Sequence, residues 1–344
     1  MPLQSLDSDH LRLIGLVLVE VTGDVRWRSL EAQLISGGKS NLTFLLSSPA
    51  GELILRRPPL GELLPKAHDM QREARVQKAL AATKVAVPSI LFEDAGELIG
   101  TPFYIMEKVS GHLIRSELPP GYAQTESAKT AMANALVDTL VVLHDIEPRS
   151  VGLGDYGHPD GFLERQIRRW GKQWELSKTR EVHIVDELGA RLAKQVPPPQ
   201  RYSIVHGDYR LDNCVMDLQD PSRIAAVLDW ELSTLGDPLS DLGLFLFYWR
   251  ESGEPDLLLT PSVTTTPGFP GRSYLMQRYA DRSGMDLESI SFYEAFAHYK
   301  FAVIAQGIAS RVAAGAMAGQ DFGILDEEVV RIAEEGLAKL KGGI

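Results

Sequence analysis

Cysteine is nearly absent from this sequence of 344 residues. Its single member, Cys214, excludes an intrachain disulfide and any cysteine-rich metal site. Cys214 directly follows Asn213 at what reads as the start of a buried strand, where packing is expected rather than nucleophilic work. Positive charge is also short: 35 Lys and Arg stand against 46 Asp and Glu, a formal net charge of −11. That balance argues against nucleic acid as a partner, because phosphate binding needs a basic surface, though an acidic exterior is compatible with a locally basic pocket. Long hydrophobic runs are missing too. The longest, Leu13 to Val19 and Leu136 to Leu143, are too short or too interrupted to span a bilayer. The N-terminus lacks a basic region before a hydrophobic core and cleavage site, so the expected compartment is cytoplasmic and no membrane partner is expected. No internal repeat is visible.

What is present is ordinary in amount. With 44% hydrophobic and 24% charged residues the chain reads as globular, long enough for two lobes and a sizeable core. The informative stretch runs from Ser203 to Met216, Ser-Ile-Val-His-Gly-Asp-Tyr-Arg-Leu-Asp-Asn-Cys-Val-Met, and is answered by Ile224 to Glu231, Ile-Ala-Ala-Val-Leu-Asp-Trp-Glu. Each is a short apolar run, read as a buried strand, ending in charged groups at its tip. Asn213 follows Asp208 by five positions, and Asp229 follows Asn213 by sixteen. An Asp or Asn at a strand end is ordinarily a turn former. Three at this spacing, each after an apolar strand, are hard to obtain by chance.

The spacing resembles that of kinases, in which a catalytic-loop Asp takes the hydroxyl proton, an Asn five residues on holds a magnesium ion, and an Asp after the next strand holds the metals against ATP. Magnesium wants oxygen ligands, and the charge on a transferring phosphoryl group needs metals on one side and a positioned acceptor on the other. His206-Gly207-Asp208 replaces the His-Arg-Asp of protein kinases, and in this form resembles the aminoglycoside phosphotransferase and choline kinase-like family. The fuller wording, with Leu-Asp-Trp-Glu, looks most like the kinase-like domain fused to acyl-CoA dehydrogenases. The resemblance covers most of the chain. It implies Asp208 as base, Asn213 and Asp229 as magnesium ligands, and ATP as phosphoryl donor. His206 is expected to serve as a core residue with its ring bonded to nearby backbone.

Toward the N-terminus, Leu6 to Glu20 reads as a helix with Asp7 or Ser8 as cap, followed by strands over Trp27 to Ser36, Asn41 to Ser47 and Glu52 to Arg56. Gly37, Gly38, Ser40 and Asn41 lie in the turn where a kinase carries its phosphate-covering loop, although Gly-Gly in a hairpin is usually only a turn. Arg56 stands where a kinase has its phosphate-binding lysine, a departure that arginine's two-donor grip can accommodate and that the fused branch shares. Its expected partner is Glu73 on the following helix, by order along the chain alone. Arg57 is expected to be a solvated strand end. Ile90 to Glu93 and Thr101 to Glu107 complete a sheet of about five strands. Around Glu107 and Val109 the chain resembles the kinase hinge, whose main chain would bond the adenine edge.

Beyond Gly111 the pattern is mainly helical. Arg165, Arg168 and Arg169 fall with Lys172 on one helix face, a candidate anion surface where most charge stripes are simply solvated. Arg210 is placed to stabilise charge on the transferred phosphoryl group, or else packs across the loop. Asp237 is expected to cap the helix opened by Pro238, and Asp241 to brace the catalytic loop. Only nine positions separate Asp229 from Pro238, too few for a peptide-docking activation segment, so the acceptor is expected to be a small molecule. Ser262 to Gly271 reads as a loop able to close over it.

The whole is expected to be α+β: a bilobal protein-kinase-like fold with an N-terminal antiparallel sheet lobe over 1–108 and a larger helical C-terminal lobe over 109–344. Its expected activity is ATP- and Mg2+-dependent phosphorylation of a small-molecule alcohol, foremost a hydroxy acid or its CoA thioester, the substrates implied by the fused branch. A cationic alcohol such as an aminoglycoside or choline, with Glu231 as a contact, is the alternative, and a nucleotide-binding pseudokinase is the reading from another class. Oligomeric state stays open.

Overall fold

The computed structural model of the chain describes residues 6–35, 41–59, 69–260, 262–315 and 323–342. Contacts divide it into one unit of Met1–Ser110 with Ala225–Ser233, and a second of Gly111–Ile224 with Thr234–Ile344.

In the first unit Asp7 accepts a hydrogen bond from the His10 amide at 2.8 Å and starts helix α1 (Ser8–Thr22). An N-cap carboxylate satisfies an amide that the first turn leaves without a partner. The strand expected from Trp27 to Ser36 is shorter in the structure. Asp24 accepts from the Arg26 amide at 3.0 Å and winds Val25–Arg28 into a 3-10 turn, which leaves β1 at Glu31–Leu34. Next come β2 (Leu42–Ser48), β3 (Gly51–Arg57), α2 (Met70–Leu80), β4 (Ile90–Asp94) and β5 (Phe103–Glu107). The strands form one antiparallel sheet in the order β1-β2-β3-β5-β4.

Strand alternation gives this sheet two apolar faces. Phe44, Leu46, Leu53, Leu55, Phe103 and Ile105 pack with Ile14 and Leu18 of α1, while Ile54, Tyr104 and Met106 pack with Met70 and Ala74 of α2. Arg56 comes two residues after Ile54 and so belongs to the α2 face. Arg57 belongs to the other face, and the expectation that it is solvated is overturned. It is 2% exposed, with its guanidinium 5.4 Å from the centre of the Phe44 ring and a bond to the Pro58 carbonyl at 3.2 Å.

The second unit holds β6 (His112–Leu113), α3 (Glu126–His144), α4 (Phe162–Ser177), α5 (His183–Lys194), β7 (Ser203–Val205) and β8 (Cys214–Met216). Strand β9 (Ile224–Val227) carries the chain back to the first unit, after which come β10 (Thr234–Gly236), α6 (Leu239–Tyr248), α7 (Arg272–Ser283), α8 (Ile290–Ala313) and α9 (Leu325–Gly342). Two short antiparallel pairs, β6 with β8 and β7 with β10, frame the loop of Asp208. Helix α8 is the axis of this unit and touches α4, α5, α6 and α9. Its approach to α6 depends on Gly243, where a Cβ would lie 2.6 Å from the Tyr293 backbone. No helix among the described residues is long and apolar enough to cross a membrane. Cys214 is wholly buried in β8, and burial pushes its thiol up to about 12.

Candidate functional site

In the first unit a buried cation collects carboxylates. Arg56 Nη2 lies 3.1 Å from Glu73 Oε1 and 2.9 Å from Asp229 Oδ1. Glu73 also accepts from the Tyr104 hydroxyl at 2.9 Å, and Tyr104 stands opposite Arg56 in the sheet register. The Asn41 amide donates to Glu231 at 3.2 Å and to Glu73 at 3.5 Å. Burial weighs against charge on Arg56, but Glu73, Asp229 and Glu231 outweigh it and raise the guanidinium above its usual range. Burial pushes the Glu73 carboxyl up, against the pull of Arg56. The pair is therefore a desolvated cation whose charge is fixed by its surroundings.

Asp229 adopts the left-handed conformation, φ 66° and ψ 64°. That region costs a residue with a side chain energy unless neighbours enforce it, and such outliers gather at functional sites. Here the enforcement is local. Trp230 is buried and donates from Nε1 to the Val227 carbonyl at 3.0 Å, the Ser233 hydroxyl bonds the Trp230 carbonyl, and Arg72 of α2 reaches the Ser233 carbonyl at 3.2 Å.

In the second unit the loop after β7 is held from behind by Asp241 of α6. Its Oδ2 accepts from the His206 amide at 2.6 Å and its Oδ1 from the Gly207 amide at 2.8 Å, with His144 Nε2 at 3.3 Å from Oδ2. His144 is in turn bonded to the Tyr279 hydroxyl at 2.7 Å. Gly207 takes φ 84°, a turn that favours glycine. The His206 ring accepts from the Asp208 amide at 3.2 Å, which makes it a loop brace.

The Asp208 carboxylate is oriented at both oxygens. Tyr248 donates its hydroxyl to Oδ1 at 3.3 Å, and the Asn213 amide donates to Oδ2 at 3.1 Å and to the Asp208 carbonyl at 2.8 Å. Arg210 lies over the Tyr248 ring at 4.9 Å, with Nε 3.0 Å from Asp212 and 3.5 Å from Asp208. A cavity of about 30 Å³ beside them is lined by Arg115, Arg210, Asp212, Tyr248 and Thr260 among others.

Burial alone would raise the Asp241 carboxyl, but the bond to His144 and the influence of His206, through its backbone amide among other things, overcome it and lower the pKa. A depressed carboxyl stabilises the fold above its unfolded pKa, about 3.9, and that contribution is lost as pH falls through the lower folded value. Asp241→Ala is expected to cost about 2–4 kcal/mol by leaving buried amides without partners. It should also flatten the acid side of the unfolding curve. Urea titrations at neutral and acid pH check both, and an equal loss at every pH would contradict the assignment.

The structure thus brings Asn41, Arg56, Glu73, Asp229 and Glu231 together in one unit, and Asp208, Arg210, Asn213, His206 and Asp241 together in the other. Gly37, Gly38 and Ser40 lie outside the described residues. Glu107 is exposed and accepts from the Ser89 amide at 3.3 Å, while Val109 is half-buried. The basic face of α4 is not one uniform surface. Arg165 donates to the carbonyls of Asp160 and His158 near the start of its own helix, Arg168 is exposed, and Arg169 lies 5.8 Å from the centre of the Trp170 ring. Segment 262–271 is held by the Thr264 hydroxyl on the Arg250 carbonyl at 2.7 Å and by Trp249 Nε1 on the Pro270 carbonyl at 2.9 Å. Tyr248 and Lys300 carry no mark in the sequence patterns.

Each unit carries oxygen suited to a hard cation: in the second, Asn213 spends its amide nitrogen on Asp208, which leaves its carbonyl oxygen to accept, and in the first Asp229 carries carboxylate oxygens. Among the described residues no three His, Cys, Asp or Glu side chains form a metal cluster.

The α+β architecture is the protein-kinase-like fold. The model of the phosphotransferase enzyme family matches residues 31–260, and the chain belongs to that family. It is 36% identical over 342 residues to acyl-CoA dehydrogenase family member 11 of Homo sapiens, covering 98% of this chain and 43% of the human protein. The chain spans less than half the length of the curated relatives it matches. A Ralstonia eutropha protein provisionally assigned as an aminoglycoside phosphotransferase superposes with a TM-score of 0.82 at 32% identity, over 96% of this chain and 98% of that one. An aminoglycoside phosphotransferase in ternary complex with ADP and hygromycin B shares the fold, with a TM-score of 0.60 at 16% identity over 96% and 98% of the two chains.

Proposed function

We propose that the chain transfers the γ-phosphoryl group of ATP, with Mg2+, to the hydroxyl of a small molecule, foremost a hydroxy acid or hydroxyacyl-CoA. The observation that carries this is the Asp208 carboxylate, held at both oxygens by Tyr248 and Asn213. A base so oriented can receive a hydroxyl proton without first reorganising. Arg56, kept charged by Glu73, grips phosphate oxygens. Asn213 and Asp229 hold the magnesium, which when bound neutralises charge on the phosphates. Arg210, steadied on the Tyr248 ring, faces charge that develops on the transferred group. Gly37, Gly38, Ser40 and Asn41 cover the phosphates, and main-chain groups near Glu107 and Val109 bond the adenine.

The ternary complex of the related aminoglycoside phosphotransferase with ADP supports the nucleotide, and the likeness to acyl-CoA dehydrogenase family members supports the acceptor class. The pseudokinase alternative is disfavoured because a regulatory module has no need of Asp208, Asn213 and Asp229 together.

The test is magnesium-dependent ADP release with four acceptors: a 4-hydroxy fatty acid, its CoA thioester, choline and an aminoglycoside. Release is expected with the acid or thioester, and to disappear with EDTA. Release driven by choline or the aminoglycoside would replace the acceptor class, and release with none would favour the nucleotide-binding module.

A further inference from the structure

Beside Asp208 the second unit gathers two cations and a buried donor that the reaction above leaves idle. Lys300 of α8 donates from Nζ to the Gly207 carbonyl at 2.7 Å, one residue before Asp208. An ammonium has three N–H donors, and Gly207 takes one. The same nitrogen stands 5.7 Å from the centre of the Trp170 ring on α4, and the Arg169 guanidinium stands 5.8 Å from it. The Trp170 Nε1–H is buried and, among the described residues, donates to nothing.

A buried N–H without a partner costs about 1–3 kcal/mol, and native structures keep few of them. A lysine drawn from water beside other cations is costly in the same way. Burial, Arg169 and Arg210 depress the Lys300 ammonium, against the opposing pull of Asp208 and Asp241. An anion would relieve both costs at once, by accepting from the indole N–H and from the ammonium. A cationic acceptor would meet like charge.

We propose that Lys300, Arg169 and the Trp170 indole N–H form an anion subsite that binds the carboxylate of a hydroxy-acid acceptor and so sets its hydroxyl at Asp208. The inference rests on the phosphotransferase reading and names the group by which the acceptor is chosen. Ammonium and indole N–H offer one donor to each carboxylate oxygen, with Arg169 supplying further positive charge from the helix face.

The experiment compares a 4-hydroxy fatty acid with the neutral diol of the same chain length, both at saturating ATP. Lys300→Met should lower the ratio of their kcat/KM values by about 10–100-fold, the worth of one charge-assisted hydrogen bond, and Lys300→Arg should restore much of it. Trp170→Phe keeps the ring, removes the donor and should lower the same ratio. If Lys300 serves only to hold the loop, both acceptors lose rate together and the ratio stays constant, which overturns the proposal.

Calorimetric binding of the hydroxy acid to Asp208→Asn protein, with and without Lys300→Met, separates this proposal from the parent reading. Lys300-dependent binding, together with no phosphorylation of any acceptor by the protein that retains Asp208, would sink the kinase reading and keep the subsite. Turnover of the acid with no dependence on Lys300 or Trp170 would sink the subsite and keep the kinase.

Discussion

Asp208→Asn is expected to lower kcat by about 10²–10⁴-fold, the usual contribution of a positioned general base, while ATP binding persists. The substitution preserves the shape of the side chain but leaves no carboxylate to take the hydroxyl proton. One oxygen can still accept from Asn213, whose bond to the Asp208 carbonyl is untouched, so the loop keeps its form. Asp241 goes on bracing the loop through the His206 and Gly207 amides. Rapid-quench turnover, with ATP affinity measured separately by fluorescence, reads the two quantities apart. An unchanged kcat would mean that the proton leaves by another route.

Arg56→Ala is expected to damage stability and nucleotide use together. The Glu73 side chain is only 1% exposed, and removing its cation strands a carboxylate out of water. Breaking a buried pair from one side costs about 3–5 kcal/mol, whereas replacing both partners with apolar groups of matching volume is often neutral. The double variant Arg56→Met with Glu73→Leu should therefore be more stable than Arg56→Ala in a urea titration. Both should lose ATP affinity, because neither keeps the phosphate donor. Equal stability of the single and double variants would contradict the buried-charge account, and undiminished ATP affinity would contradict the phosphate role.

Much of the frame was legible because its signals are local. Order along the chain pairs Arg56 of β3 with Glu73 of α2, and Asp237 and Asp241 flank Pro238 at the start of α6. The Trp27 segment departs from its expected strand for an equally local reason: the Asp24 carboxylate overrides an apolar, β-prone run and winds it into a turn. Arg57 shows a different limit. Its charge says solvent, but a strand that fills both sheet faces leaves it no solvated side, and the Phe44 ring and the Pro58 carbonyl take it in. Tyr248 and Lys300 meet the Asp208 loop from 40 and 93 residues away, and nothing in their neighbouring sequence marks them. Only the packing of α6 and α8 brings them there.

The most direct measurement follows phosphorus by NMR in a mixture of the protein, ATP, Mg2+ and a 4-hydroxy fatty acid or its CoA thioester. A new phosphate monoester resonance, growing with ADP and slowed by about 10²–10⁴-fold with Asp208→Asn, is the predicted result. ADP and inorganic phosphate without the monoester, or a monoester that forms at an undiminished rate with Asp208→Asn, would contradict the account.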